Sequence, residues 1–165
     1  MEEDFRERAV FRDRGHLFED FEVGQAWNHH WGKTVSAAEN SLFCSLLLIF
    51  NPLYLNAEYA KAHGHPDIVI NPHLLFNVVL GLSVEDLSEI GGPFLGVFDL
   101  TYVRPAYAGT TIVARSKTLD ARVSSSNPAN GIVTWQTTGY DEAGLELVSF
   151  RRSNLVRRRN IGEAA

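Results

Sequence analysis

The stretch NPHLLFNVVLGLSVEDLSEIGGP, residues 71–93, decides how the rest of the chain is read. It opens on Asn71, whose side chain suits an N-cap, and on Pro72 at the first helical position, where a missing N–H costs nothing. It closes on Gly91-Gly92-Pro93, a helix stop. Between these ends Leu74, Leu75, Phe76, Val78, Val79, Leu80, Leu82 and Val84 cover nearly every face of a helix, and Leu87 extends the run. A helix that is apolar all round must be covered all round. Asn77 interrupts the run, and Glu85-Asp86 end it well short of the ~20 apolar residues a bilayer requires. The expectation is therefore a long helix buried at the centre of a domain, with no membrane partner.

The residues that follow supply the cover. Segments 94–103, 110–123, 131–140 and 145–156 are rich in Val, Thr, Ile, Tyr and Phe and read as four strands. They are separated by residues 104–109, by SSSNPAN at 124–130 and by DEAG at 141–144, short connections that join antiparallel neighbours. The second strand is long, so a bend or bulge is expected in it. A further strand near 26–35 brings the count to about five, enough to curl around a helix. The fold class is α+β: a curved antiparallel sheet of about five strands wrapped around one long central helix, the hot-dog architecture.

A chain of 165 residues fits one domain. The expected limits are a short leader over 1–17, open to disorder, a domain over 18–157 and a tail over 158–165. Fifteen Lys and Arg against twenty Asp and Glu leave a net charge of −5, the wrong sign for a domain that neutralises phosphates, so no nucleic-acid partner is expected. The single cysteine, Cys44, excludes an intrachain disulfide, and the charged leader lacks a secretory apolar segment; both favour the cytoplasm. Arg151, Arg152, Arg157, Arg158 and Arg159 read as a solvated strand end and tail, with an anion contact as the alternative.

FEDFEVGQ at 18–25, GKTVSAAENSLF at 32–43, NPLYLNAEYA at 51–60 and FLGVFDLTYVRPAYAGTTIVARS at 94–116 resemble the MaoC-like hydratase/dehydratase family, nearest its mesaconyl-CoA hydratase-like branch. The resemblance spans about residues 18 to 157. It implies a hot-dog fold that adds water to, or removes it from, the double bond of an acyl-CoA thioester. It implies no cofactor beyond the coenzyme A of the substrate, and pairing of protomers as a homodimer or as a heterodimer with a similar chain.

Hydration of an enoyl thioester needs a base for water, an acid for the α-carbon and donors for the enolate oxygen. The family meets the first two with Asp-x-Asn-Pro-Leu-His-x-Asp, the leading residue being an amide in some relatives. Asn51, Pro52 and Leu53 match this pattern, but Ile49 stands at the leading acid, Tyr54 at the histidine and Asn56 at the final Asp. Ile49 moves no proton, and a phenol with an ordinary pKa of about 10 donates at neutral pH but is a weak base. Tyr54, Asn51 and Asn56 are the catalytic candidates, and Ile49 is expected to line the pocket. The start of the central helix, Asn71 to His73, is a candidate for binding the thioester carbonyl, with plain capping as the alternative.

His63, His65 and His73 lie close in sequence. No metal site is expected of them; polar rings at a pocket mouth, or His65 or His73 standing in for the missing histidine, are the readings kept. Glu58 reads as a helix-surface acid and, less so, as a base. LFCSLLLIF at 42–50 reads as core or as a greasy acyl pocket, and Trp27 and Trp31 as core or dimer contact. Two functions stay open: a hydratase or dehydratase with an unusual proton-transfer arrangement, and a non-catalytic hot-dog subunit that binds acyl-CoA or stabilises an active partner. A thioesterase on the same fold would need an activated carboxylate that the sequence does not place.

Overall fold

A computed structural model describes residues 15–159; most of the expected leader and tail lies outside the described residues. The five strands form with each limit within one residue of the sequence reading: β1 (Ala26–Thr34), β2 (Phe94–Tyr102), β3 (Thr111–Val123), β4 (Asn130–Tyr140) and β5 (Glu146–Arg157). They make one sheet in the order β1-β3-β4-β5-β2, antiparallel throughout. The irregularity expected in the long strand falls between Thr118 and Asp120. Strand β4 alternates strictly, turning Gly131, Val133, Trp135, Thr137 and Gly139 to the buried face.

Helices α1 (Ala37–Leu46) and α2 (Ala57–Ala62) precede the central helix α3 (Pro72–Leu82). Ser36 and Glu39 open α1 with a capping box. Asn71 caps α3 by accepting from the His73 amide at 2.9 Å, with Pro72 at the first position as the sequence suggests. Leu75, Val78 and Val79 of α3 are buried with Ile112, Ala114, Val148 and Phe150 of the sheet. The closest approach is Val79 on Gly139, where an added Cβ would lie 2.4 Å from a Val79 methyl. Glycine there lets the helix descend onto the sheet. Among the described residues no helix is long and apolar enough to cross a membrane.

The central helix is shorter than its apolar run. It breaks at Ser83, and a single turn, α4 (Val84–Leu87), follows. The cause lies in the sheet beneath, where a polar belt of Ser116, Thr118, Thr137 and Arg152 separates the apolar cluster under α3 from a second one around Phe21, Leu87, Val133, Trp135 and Val156. Arg152, only 1% exposed, donates to the Ser83 carbonyl at 3.3 Å and to its hydroxyl at 3.1 Å, while that hydroxyl donates to the Leu80 carbonyl at 2.7 Å. A cation thus meets the negative end of the helix. Burial lowers the Arg152 pKa to about 10, which leaves it charged at neutral pH, and its guanidinium lies 5.3 Å from the centre of the Trp135 ring. The expectation of a solvated arginine cluster is therefore corrected at Arg152. Arg151, Arg158 and Arg159 pair at the surface with Asp99, Glu19 and Asp20.

A second correction concerns cover. The sheet buries one side of α3, while His73, Asn77 and Gly81, one per turn, form an exposed stripe along the other. The 42–50 segment does not enter the core of this chain: Cys44 is buried, but Leu42, Leu46, Leu47, Leu48 and Phe50 are 54–76% exposed. The edge strand β2 likewise exposes Phe94, Leu95, Phe98 and Leu100. Trp27 packs against Phe21 and donates to Thr118, whereas Trp31 stays exposed and donates to Glu85.

At the opposite edge His29 of β1 is clasped to α4. Its Nδ1 lies 2.6 Å from Asp86 and its Nε2 2.8 Å from the Ser116 hydroxyl, which is in turn 2.8 Å from the Thr137 hydroxyl. Burial pushes the imidazole below its ordinary pKa, with Asp86 opposing the shift. Below about pH 6.5 the unfolded chain takes up a proton that folded His29 refuses, so this stability is complete above that pH and is lost on acidification. Urea unfolding should show stability falling between pH 7 and the lowered pKa, by at most about 1.4 kcal/mol per pH unit from this residue. The slope should shrink in His29→Gln, and an unchanged slope would contradict the assignment.

Candidate active site

One buried amide organises the most chemically varied pocket. Asn40, on α1, is fully buried; its Nδ2 donates to the carbonyls of Tyr54 (2.8 Å) and Val69 (3.2 Å), and its Oδ1 accepts from the Asn71 amide at 2.8 Å. The Asn71 Nδ2 reaches Cys44 Sγ at 3.5 Å. Asn40 therefore ties the 52–54 turn, the strand-like residues 69–71 and the start of α3 together. Residues 69 and 70 then bridge the two walls of the pocket: the Val69 amide donates to Leu53 O (3.1 Å) and the Ile70 amide to Ala106 O (2.9 Å).

The pocket between those walls encloses about 310 Å³. Leu53, Tyr54 and His65 line one side, Tyr102 to Ala106 the other, and Pro72 and Leu75 of α3 the floor. Burial raises the pKa of the Tyr54 phenol, with Cys44 adding to the shift. Tyr102 is raised by burial and by the neighbouring Tyr54. Both phenols are thus firmly protonated hydrogen-bond donors at neutral pH. His65 Nδ1 lies 3.1 Å from the Tyr107 hydroxyl, so the tautomer that donates from Nδ1 leaves Nε2 as an acceptor. No carboxylate lines this pocket among the described residues.

Of the residues singled out from sequence, Tyr54 and His65 meet here. Asn51 and Asn56 do not line the pocket: they are exposed, and their carboxamide oxygens cap the next turns by accepting from the Leu53 and Tyr59 amides. In this chain both carboxamides cap the turns they begin. Ile49 is half-buried and outside the lining, His73 is exposed, and Asn71 is buried with its oxygen spent on the His73 amide. The helix start is thus capped at its His73 amide. Glu58 is exposed and pairs with Lys61, and His63 stacks on Tyr59. Sequence reading missed Asn40, Tyr102, Arg104 and Tyr107; only Asn40 carried a signal, as the one amide side chain of its helix. A second groove, lined by Trp31, Phe43, Leu74, Val78 and Leu82 with Lys33 and Asn77, encloses about 450 Å³ but brings together no such set of proton-transfer groups. No group of three or more metal-ligating side chains occurs among the described residues.

A family model described as mesaconyl-CoA hydratase matches residues 3–165. The chain is 42% identical over 154 residues to a mesaconyl-CoA hydratase of Haloarcula hispanica, a match covering 93% of this chain and 43% of that protein. The chain thus spans less than half the length of this relative. The fold is similar to that of a MaoC domain dehydratase from Chloroflexus aurantiacus (TM-score 0.86, 24% identity, covering 95% of this chain and 44% of the other). It is also similar to a Mycobacterium tuberculosis protein described as a double hot-dog fold (TM-score 0.79, 22% identity, 92% and 47%).

Replacing Asn40 tests whether the pocket hangs on this amide. Asn40→Ala strips three hydrogen bonds from backbone groups, two of them buried, and should cost roughly 2–4 kcal/mol in urea unfolding. A loss below about 0.5 kcal/mol, the level of an ordinary surface substitution, would contradict the role given to it.

Proposed function

The chain belongs to the mesaconyl-CoA hydratase family, and we propose that it is a hydratase/dehydratase unit whose Tyr54–His65 pocket takes an α,β-unsaturated acyl-CoA thioester. The observation that carries this reading is the content of the pocket: one imidazole and two protonated phenols in an otherwise largely apolar cavity. His65 Nε2 accepts a proton from water as the water oxygen bonds to the β-carbon and the π electrons move to the thioester oxygen. Return of that proton to the α-carbon restores the imidazole, and the net change is addition of one water. Tyr54 and Tyr102 donate to the enolate oxygen while the charge is there, a contribution worth about 10²–10³-fold per donor in related chemistry. Dehydration runs through the same groups in reverse. No cofactor enters beyond the coenzyme A carried by the substrate.

The name shared by the family makes mesaconyl-CoA the first substrate to try. The partner proposed is a second hot-dog unit, either a copy of this chain or a similar one, seated on the exposed apolar residues of β2 or of the 42–50 segment. A relative more than twice as long as this chain has room for such a unit within one polypeptide. Cytoplasmic residence is proposed on the single free thiol, Cys44.

One observation favours a second reading, a non-catalytic unit that binds the thioester beside an active partner: Ile49 stands where the family pattern has an acid, and no carboxylate among the described residues lines the pocket. Turnover separates the two. The purified chain should hydrate mesaconyl-CoA or crotonyl-CoA, with kcat/KM falling about 10²-fold or more in His65→Ala and at least tenfold in Tyr54→Phe, both folded by circular dichroism. Binding without turnover in the wild type would replace the catalytic reading with the second one.

A further inference from the structure

Tyr107 touches His65 without lining the cavity, and the proposed chemistry leaves it without a role. Its hydroxyl lies 3.1 Å from His65 Nδ1, with the two rings 6.0 Å apart and tilted by 54°. The two residues differ in how their backbones are held. Tyr107 pairs with Val69 in an isolated antiparallel bridge, its neighbour Ala106 accepts from the Ile70 amide at 2.9 Å, and its own carbonyl accepts from the Thr110 amide at 3.1 Å. That turn is tied to the core, because the Gly109 amide donates to the Val35 carbonyl at 2.8 Å and the amide of the fully buried Val35 donates to the Thr110 carbonyl at 3.1 Å. His65 stands instead in the loop that leaves α2, its amide reaching back to the Ala60 carbonyl at 3.1 Å. Its half-buried ring has one hydrogen-bond partner among the described residues, the Tyr107 hydroxyl. Tyr107 is thus the fixed point against which an otherwise unheld imidazole is set.

The bond made by one ring nitrogen of a histidine decides the state of the other. When Nδ1–H donates to the phenol oxygen, Nε2 keeps its lone pair; when the phenol donates to Nδ1, Nε2 carries the hydrogen and cannot take one from water. Only the first arrangement persists through proton uptake. The imidazolium donates from both nitrogens, so the Nδ1–H bond to a neutral oxygen is kept and becomes charge-assisted as the ring charges. Tyr54 and Tyr102, both firmly protonated, can donate in this pocket but cannot take the proton from water. We propose, resting on the hydratase reading above, that Tyr107 is a positioning residue for that reaction: its hydroxyl oxygen accepts from His65 Nδ1 and so fixes the ring orientation and the tautomer in which Nε2 serves as the base. A hydroxyl in this place orients the ring without the negative charge of a carboxylate, which would favour the imidazolium and leave no lone pair for water.

Nitrogen-15 NMR of the His65 ring, at about pH 8 where an ordinary imidazole is neutral, reads the tautomer without any substrate. The chain has six histidines, and comparison with His65→Gln assigns the signals. In the wild type Nδ1 should show the shift of a protonated ring nitrogen and Nε2 that of a bare one. Tyr107→Phe removes a single oxygen, and the ring should move toward the opposite form, which a free imidazole favours in water. Turnover of mesaconyl-CoA or crotonyl-CoA supplies the second readout: in Tyr107→Phe, folded by circular dichroism, kcat should fall about tenfold while KM stays within about twofold, since Tyr107 acts through His65. A bare Nδ1 in the wild type overturns the proposal, and this measurement needs no variant to fold. A fall in kcat with the His65 ring shifts unmoved also overturns it, by marking a merely structural effect. A wild type that shows the expected ring shifts but turns over neither thioester removes the hydratase reading itself, and this proposal with it.

Discussion

The descent of α3 onto the sheet at Gly139 is the constraint on which the rest of the molecule depends. A helix carrying Leu75, Val78 and Val79 on one face gains its stability by bringing those residues out of water, and the sheet closes over them because β4 presents a glycine to Val79. A side chain larger than hydrogen at residue 139 would lift the helix and open the cluster built on Ile112, Ala114, Val148 and Phe150. The same depth of seating sets where the helix ends. One turn beyond Val79 the sheet offers Arg152 and a belt of hydroxyls instead of aliphatic carbon, and the helix stops with its last carbonyls turned to that cation.

Fixing the helix also fixes the pocket, through Asn40. With α3 seated, the Asn71 amide has one position, and the amide of Asn40 transmits that position to the carbonyls of Tyr54 and Val69. The walls of the pocket come from distant parts of the chain, yet Leu53 on one side and Ala106 on the other are joined by backbone hydrogen bonds of ordinary length to the adjacent Val69 and Ile70. This is how a pocket lacking the family's acid and histidine positions still holds its shape. Ile49 and Tyr54 depart from the family pattern without touching the scaffold, because neither side chain makes the bonds that hold the walls together. What the wall does require of Tyr54 is its carbonyl, which any residue supplies.

How much of this was legible depended on whether the cause lay nearby in sequence. Asn71-Pro72 announced a helix start because capping is a matter of adjacent residues, and the five strands were legible because alternation and turns are local too. The break at Ser83 was not, since its cause, Arg152, lies 69 residues away. Asn51 and Asn56 matched a catalytic pattern by position, but each begins a turn, and an asparagine there is spent on the amide two or three residues ahead. Tyr102 and Arg104 sit where a strand runs into a loop, with nothing in their neighbourhood to mark them as pocket residues. The apolar 42–50 segment reads as core or as a greasy pocket because composition records how much surface a segment wants covered and says nothing of which chain covers it.

In the function proposed, ligand enters between Tyr54 and Arg104 and not the larger groove beside Trp31. Amide and side-chain NMR shifts recorded during addition of butyryl-CoA test this most directly. Perturbations should concentrate at Leu53, Tyr54, His65, Tyr102 and Ala106, with the His65 ring among the largest. Perturbations confined to Trp31, Phe43, Leu74 and Asn77, with the Tyr54 and His65 signals unmoved, would contradict it.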